Sequence, residues 1–288
     1  MRYLLQMRDA PFGGSHLMFG SDYSGDHGTS EFRVYSFIVA DEEGSPDWPP
    51  RCRAVRDAHL TEGRRMAFKN MNDGQRRRAL IPFLEAAECL DGHVVVVAVT
   101  KKLVHLSASA SAKRAWDGIH GLQASWDLKT FEQMTRVAHF FSMLLGVWSS
   151  PGMDVTWITD EDSVVANPRR LDDMHQFAAS ISGLYVPHRL GTFAMNTASY
   201  ETDTLGFEDF VAIPDLAAGM ISEVLMLRHI NEMGRSRFGS EGLSDKADVI
   251  ADWFWHRLGS LKKTCIKIDA AEGKPGQFGI GELKMKKG

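Results

Sequence analysis

The chain has 288 residues, of which 44% are hydrophobic, 24% charged and 10% aromatic, proportions that exclude disordered, collagen-like and coiled-coil classes. Thirty-three Lys and Arg against 37 Asp and Glu leave a net charge of −4, which on its face speaks against a uniformly basic nucleic-acid binder. Cys52, Cys89 and Cys265 form no metal-type pair and suit a reducing compartment.

In chain order, Met1 to Asp9 is too short an apolar run, and too soon charged, for a signal peptide. Leu17 to Ser21 reads as a strand, Tyr23 to Gly28 as a tight connection, and Phe32 to Ala40, rich in aromatic and β-branched residues, as a second strand of a hairpin. Asp41 to Pro50, with three prolines, reads as a loop. Gln75 to Leu90 has helical apolar spacing that Pro82 would kink or start. The run Val94 to Val99 predicts a strand buried on both faces. Two helices follow, over about 108–119 and from a cap at Asp127 through Leu144; the apolar stretch 137–148 contains His139 and falls short of the roughly 20 residues that span a bilayer. Val155 to Thr159 is a strand, Asn167 and Pro168 cap and start a helix to about Ile181, and Arg189 to Met195 is a further strand. Pro214 is expected to open a helix through Leu227, Ser244 to cap one to about Leu258, and Thr264 to Ile268 to form a last strand before a Gly- and Lys-rich tail. The expectation is one soluble, cytoplasmic α/β domain over 1–288, with no membrane partner, a helical insertion at about 101–148 and a C-terminal helix with a basic tail at about 243–288.

Charge is laid out in blocks. Residues 51–78 carry nine basic and three acidic side chains, residues 154–223 twelve acidic and three basic ones, and residues 261–288 seven lysines and three acids. Near-neutrality in total is thus compatible with a basic groove for a polyanion beside an acidic centre that needs cations, as well as with an unevenly charged solvated surface.

Three carboxylates stand at expected element boundaries: Asp22 after the first strand, Asp160 after the 155–159 strand, and Asp215 in the first turn of the helix opened by Pro214. Converging carboxylates repel unless a divalent cation neutralises them, and Mg²⁺ or Mn²⁺ accepts oxygen ligands while keeping waters that bridge to phosphate. Each acid has a plainer reading: a turn residue at Asp22, a solvated loop at Asp160, Glu161 and Asp162, and a macrodipole partner at Asp215. Of the eleven histidines, His16, His27, His139, His175 and His188 form no ligand motif, and His27 is singled out only because it follows the Asp22–Asp26 turn. Trp253 and Trp255 could stack on bases, although core packing is the better expectation.

The segment Phe19-Gly20-Ser21-Asp22-Tyr23-Ser24-Gly25-Asp26 resembles the opening Asp-Glu-Ser-Gly signature of the domain of unknown function 3800 family. Ile158-Thr159-Asp160-Glu161 is similar to its second acidic motif, and Ile213-Pro214-Asp215-Leu216-Ala217-Ala218-Gly219 to its late helix start. The resemblance runs from about Leu17 to Glu223 and implies a ribonuclease-H-like fold, a mixed central sheet flanked by helices with extra helical insertions. It implies that Asp22, Asp160 and Asp215 bind metal and that Lys69, similar to a recurrent lysine of the family, assists at a phosphate. Tyr23 stands where that family usually has Glu, and Ala67 where an acidic partner is often found; Asp26, His27, Glu161 and Asp162 are the candidates to support the site. Arg64, Arg65, Arg76, Arg77 and Arg78 would then track a phosphate backbone, although three arginines at a helix start are equally relieved by an intramolecular acid.

The leading expectation is therefore a Mg²⁺- or Mn²⁺-dependent nuclease hydrolysing phosphodiester bonds of DNA or RNA. The alternative is a catalytically degenerate nucleic-acid-binding or assembly protein of the same fold, possible in a defence system; a phosphohydrolase acting on smaller substrates ranks third. A homo-oligomer is left open.

Overall fold

The structure is a computed structural model that describes residues 12–25, 30–103, 110–200, 205–232, 242–270 and 278–284, the side chains of 62, 120 and 230–232 excepted. Asp26 and His27 lie outside the described residues. The strands are β1 (His16–Ser24), β2 (Phe32–Asp41), β3 (Gly92–Thr100), β4 (Asp154–Thr159), β5 (Phe193–Thr197), β6 (Lys262–Ala270) and β7 (Phe278–Glu282). They form a mixed seven-stranded sheet in the order β5-β4-β1-β2-β3-β6-β7. The helices are α1 (Trp48–His59), α2 (Gly74–Ala87), α3 (Ala110–His120), α4 (Leu128–Trp148), α5 (Pro168–Ser182), α6 (Gly206–Glu232) and α7 (Asp245–His256), with short 3₁₀ turns at Thr61–Gly63, Phe68–Asn70 and Ala198–Tyr200. The expected α/β architecture, a central mixed sheet with helices, is the one observed.

The chain divides into two compact units. The first comprises residues 1–19, 41–44 and 104–200. In it β4 and β5 run parallel, Val155 opposite Phe193 through Thr159 opposite Thr197. Strand β5 therefore lies a few residues later than the expected 189–195. Phe141 of α4 stacks on Trp157 of β4 at 4.1 Å between ring centroids and 6° between planes, with Phe19 edge-on at 4.9 Å. The helix starts behave as the sequence implies. The side chain of Asp127 accepts from the Thr130 N–H at 2.9 Å, and that of Asn167 from the Arg170 N–H at 3.0 Å, each satisfying a backbone donor that has no partner inside its helix. The Thr130 N–H and hydroxyl hold the Asp127 carboxyl below the usual carboxylate range. Its contribution is thus present above that range and lost as pH falls through the lowered pKa. Asp127→Ala is expected to cost about 1 kcal/mol near neutral pH, with the deficit shrinking toward acid, as read from urea denaturation at several pH values.

The second unit comprises residues 20–40, 45–103 and 201–288. Strand β3 is buried along its whole length, antiparallel to β2 and parallel to β6. Its continuous Val run needs apolar cover on both faces, which is why it reads as one block rather than as an alternation. Strand β7 completes the sheet antiparallel to β6, and its side chains are exposed.

Two expectations are corrected in this unit. The 41–50 loop ends earlier, because α1 begins at Trp48 with Pro49 and Pro50 in its first turn, where a missing N–H costs nothing. Pro214 does not open a helix: α6 begins at Gly206 with Glu208 and Asp209 in its first turn, and Pro214 lies inside it. Phe210, Val211, Ala212, Ile213, Leu216, Ala217 and Ala218 are all buried around that proline, and their packing outweighs the lost helical bond. Residues 206–229 of α6 are by length and composition apolar enough to cross a membrane, and 72% of an 18-residue window within them is buried within the fold.

Candidate functional site

Strand β1 carries Asp22 on a face defined by its neighbours two residues away. A Cβ on Gly20 would meet Ile38 and Phe210, and Ser24 Oγ receives a hydrogen bond from Ser222 Oγ at 3.1 Å. Side chains two apart on a strand share a face, so Asp22 projects to the side on which α6 packs. Tyr23 faces the other way. Its hydroxyl meets Ser21 Oγ at 2.8 Å, and its ring packs near Tyr35 and Phe37, at 5.9 and 6.3 Å between centroids. The residue standing where an acid was expected is thus a packing residue on the opposite face, and it takes no carboxylate away from the side of Asp22.

Asp215 lies well inside α6, so the macrodipole reading suggested by a start at Pro214 does not apply. It precedes Ser222 by seven residues, two helical turns, and so shares the face that meets β1 at Ser24. Asp22 and Asp215 are in this way brought to facing sides of β1 and α6. Asp215 Oδ2 also accepts the Phe68 N–H at 2.6 Å. Phe68 opens the 3₁₀ turn that carries Lys69, and Lys69 itself is exposed. One turn along α6, Gly219 leaves the space in which the Phe68 ring sits: a Cβ there would lie 2.2 Å from Phe68 Cγ. Alanine favours a helix over glycine by about 1 kcal/mol, yet that overlap forces the ring away, and overpacking of this kind costs about 1–3 kcal/mol. Gly219→Ala is therefore expected to be net destabilising in thermal unfolding; a stabilised variant would show that the Phe68 packing is not maintained.

Part of the basic block is paired within the fold, while Arg51, Arg53, Arg65, Lys69, Arg77 and Arg78 are exposed. Arg56 makes a two-pronged ion pair with Asp209 at 2.5 and 2.6 Å, and the Cys52 thiol lies 3.0 Å from the same carboxylate, burial driving the thiol far above its ordinary range. Arg65 meets Glu208 at 3.0 Å. Arg64 and Arg76 both end on Asp73, at 2.6 and 2.8 Å, while the other oxygen of Asp73 caps α2 through the Gln75 N–H. Arg77 donates to the Met71 carbonyl at 3.0 Å. Asp73 thus offsets the charge of Arg76 at the start of α2, and Arg65, Lys69, Arg77 and Arg78 are the exposed cations among the sequence candidates.

In the other unit, Asp160 follows β4, and Glu161 is bonded by Ser199 Oγ. Asp162 accepts the N–H groups of Val164 and Val165 at 2.8 and 3.3 Å; burial, with a smaller push from Asp160, raises its pKa to about 6. His16 bridges Glu42 and Thr156, His139 meets the Tyr185 hydroxyl, His175 the Phe193 carbonyl and His188 Ser149, so these four act as ordinary hydrogen-bonded histidines. In the second unit Trp253 is buried, and the Trp255 indole donates to the Leu283 carbonyl. Among the described residues, no three His, Cys, Asp or Glu side chains are gathered as a ready-made metal set.

The fold is a mixed α/β one, with Asp22 on the face of β1 that meets α6 and Asp215 on the face of α6 that meets β1. No protein-family model and no curated protein sequence matches the chain. Among solved structures it is similar to RNase HII of Archaeoglobus fulgidus, determined in complex with PCNA, at 12% identity and a TM-score of 0.39, covering 82% of this chain and 88% of that one. It is also similar to ribonuclease H2 of Pyrococcus horikoshii, at 18% identity and a TM-score of 0.36, covering 83% and 85%.

Proposed function

We propose that the protein is a divalent-metal-dependent nuclease of ribonuclease-H-like fold, related to the domain of unknown function 3800 family, hydrolysing phosphodiester bonds of DNA or RNA. What supports this reading is the Ser24–Ser222 contact, which by strand and helix periodicity turns Asp22 and Asp215 toward the β1–α6 interface, and the bond of Asp215 to the N–H of Phe68 immediately before Lys69. Two hard oxygen donors suit Mg²⁺ or Mn²⁺, ions commonly held by one or two carboxylates and completed by water and phosphate rather than by a closed protein cage. When bound, such an ion supplies a more acidic water and neutralises charge on a phosphate oxygen. The chain's own contribution is to orient the carboxylates and to present Lys69 where it can pair with the phosphate. Arg77 and Arg78 would guide the backbone of the substrate without reading its bases. Asp160 is the third carboxylate of the sequence expectation, and Asp160→Asn tests it separately. Incubation with single- and double-stranded DNA and RNA, with Mg²⁺, Mn²⁺ or EDTA, is expected to give metal-dependent cleavage of at least one substrate; no cleavage of any of them sinks the reading.

A further inference from the structure

We infer that Lys246, at the start of α7, is a positioning residue that fixes Lys69 through the backbone of Phe68. Lys246 Nζ donates to the Phe68 carbonyl at 3.0 Å and lies 4.2 Å from the centre of the Phe68 ring. The Phe68 N–H is held by Asp215 at 2.6 Å. Both peptide planes flanking the Phe68 Cα are thus gripped by charged side chains from two helices, and the second of these planes ends at the nitrogen of Lys69. The ring is held as well, with Gly219 on one side and the Lys246 ammonium near its face. The start of α7 is itself anchored to α6: the Ser244 N–H and hydroxyl both donate to Glu223, next to Ser222, which reaches β1. A cation in the first turn of a helix opposes its macrodipole, whereas the neighbouring Asp245 and Asp248 complement it. The Phe68 carbonyl and ring account for a lysine at that place.

As a statement about catalysis the inference rests on the nuclease reading; as a statement about position it is tested without activity. In Lys246→Met, hydrogen exchange at the Phe68 and Met71 amides is expected to rise about ten-fold while β3 stays protected, and Lys246→Arg, which keeps a donor and a cation, is expected to restore it. On whichever polynucleotide the parent cuts, Lys246→Met is expected to lower kcat about ten-fold or more with KM within about two-fold, and Lys246→Arg to recover most of the rate. Unchanged exchange in Lys246→Met overturns the inference, as does an unchanged kcat where the parent is active. If Lys246→Met also exposes β3, Lys246→Arg decides: recovery of local protection supports positioning, and its failure with β3 intact overturns it. A parent that cuts nothing defeats the nuclease reading alone, and the exchange arm then decides the inference by itself.

Discussion

On the proposed function, Asp215→Asn and Asp22→Asn are each expected to reduce metal-dependent cleavage roughly a thousand-fold, because removing one of two proposed anionic ligands forfeits several kcal/mol of charge stabilisation at the phosphate. The two substitutions remove a negative charge while keeping the shape of the side chain. Asparagine at 215 keeps a side-chain carbonyl that accepts the Phe68 N–H, so the Lys69 turn stays anchored while the negative charge is lost. Asp22 is half-buried on a strand whose neighbours Gly20 and Ser24 make the packing contacts with α6, so Asp22→Asn leaves those contacts in place. Thermal unfolding within a few degrees of the parent, together with lost cleavage and weakened Mn²⁺ binding by calorimetry, is the expected combination. Parental cleavage by either variant would remove that carboxylate from the mechanism, and parental cleavage by both would end the nuclease reading built on them.

The sequence is most legible where a single physical demand dominates. The Val run of β3 requires burial on both faces, and Asp127 and Asn167 announce helix starts because a backbone donor has to be satisfied there. Proline was the least dependable guide. Pro49 and Pro50 read as loop although both fit the first turn of α1, a helix whose buried side chains are only Trp48, Cys52 and Val55. Pro214 read as a helix start although the buried residues on either side of it hold one helix of 27 residues together. Strand β7 escaped notice because Gly279 and Gly281 interrupt its pattern and its definition comes from pairing with β6.

The candidate site divides along the same line. Asp22 and Asp215 were legible as acids in recognisable surroundings, but their facing arrangement depends on Ser24 meeting Ser222, residues distant in sequence whose hydroxyls carry no motif. Phe68 takes part through its backbone and Gly219 through the absence of a side chain, and neither leaves a trace in residue-type patterns. Lys246 did leave one, a positive charge in a first helical turn, and that signal acquires meaning only beside the Phe68 carbonyl. The charge blocks carried a second message as well: Asp209 and Glu208 of the acidic block neutralise Arg56 and Arg65 of the basic one, so part of the basic charge is balanced within the fold.

Phe141→Ala is expected to destabilise the first unit by about 3–5 kcal/mol, the usual range for truncating a fully buried aromatic whose site cannot collapse. The ring is bounded on several sides. It lies nearly parallel to Trp157 at 4.1 Å, stacks with Phe193 at 5.5 Å and receives the edge of Phe19 at 4.9 Å, so α4 is fastened to β4, β5 and the first half of β1 through one side chain. Rigid aromatic neighbours leave a void rather than closing over it, and aromatic pairing adds about 0.5–1.5 kcal/mol per pair beyond the area buried. Phe141→Leu, which refills most of the volume, is expected to recover more than half of the loss. Urea denaturation followed by near-ultraviolet circular dichroism reads both variants, with the midpoint moving and the slope unchanged. A loss below about 1 kcal/mol for Phe141→Ala would contradict the packing described.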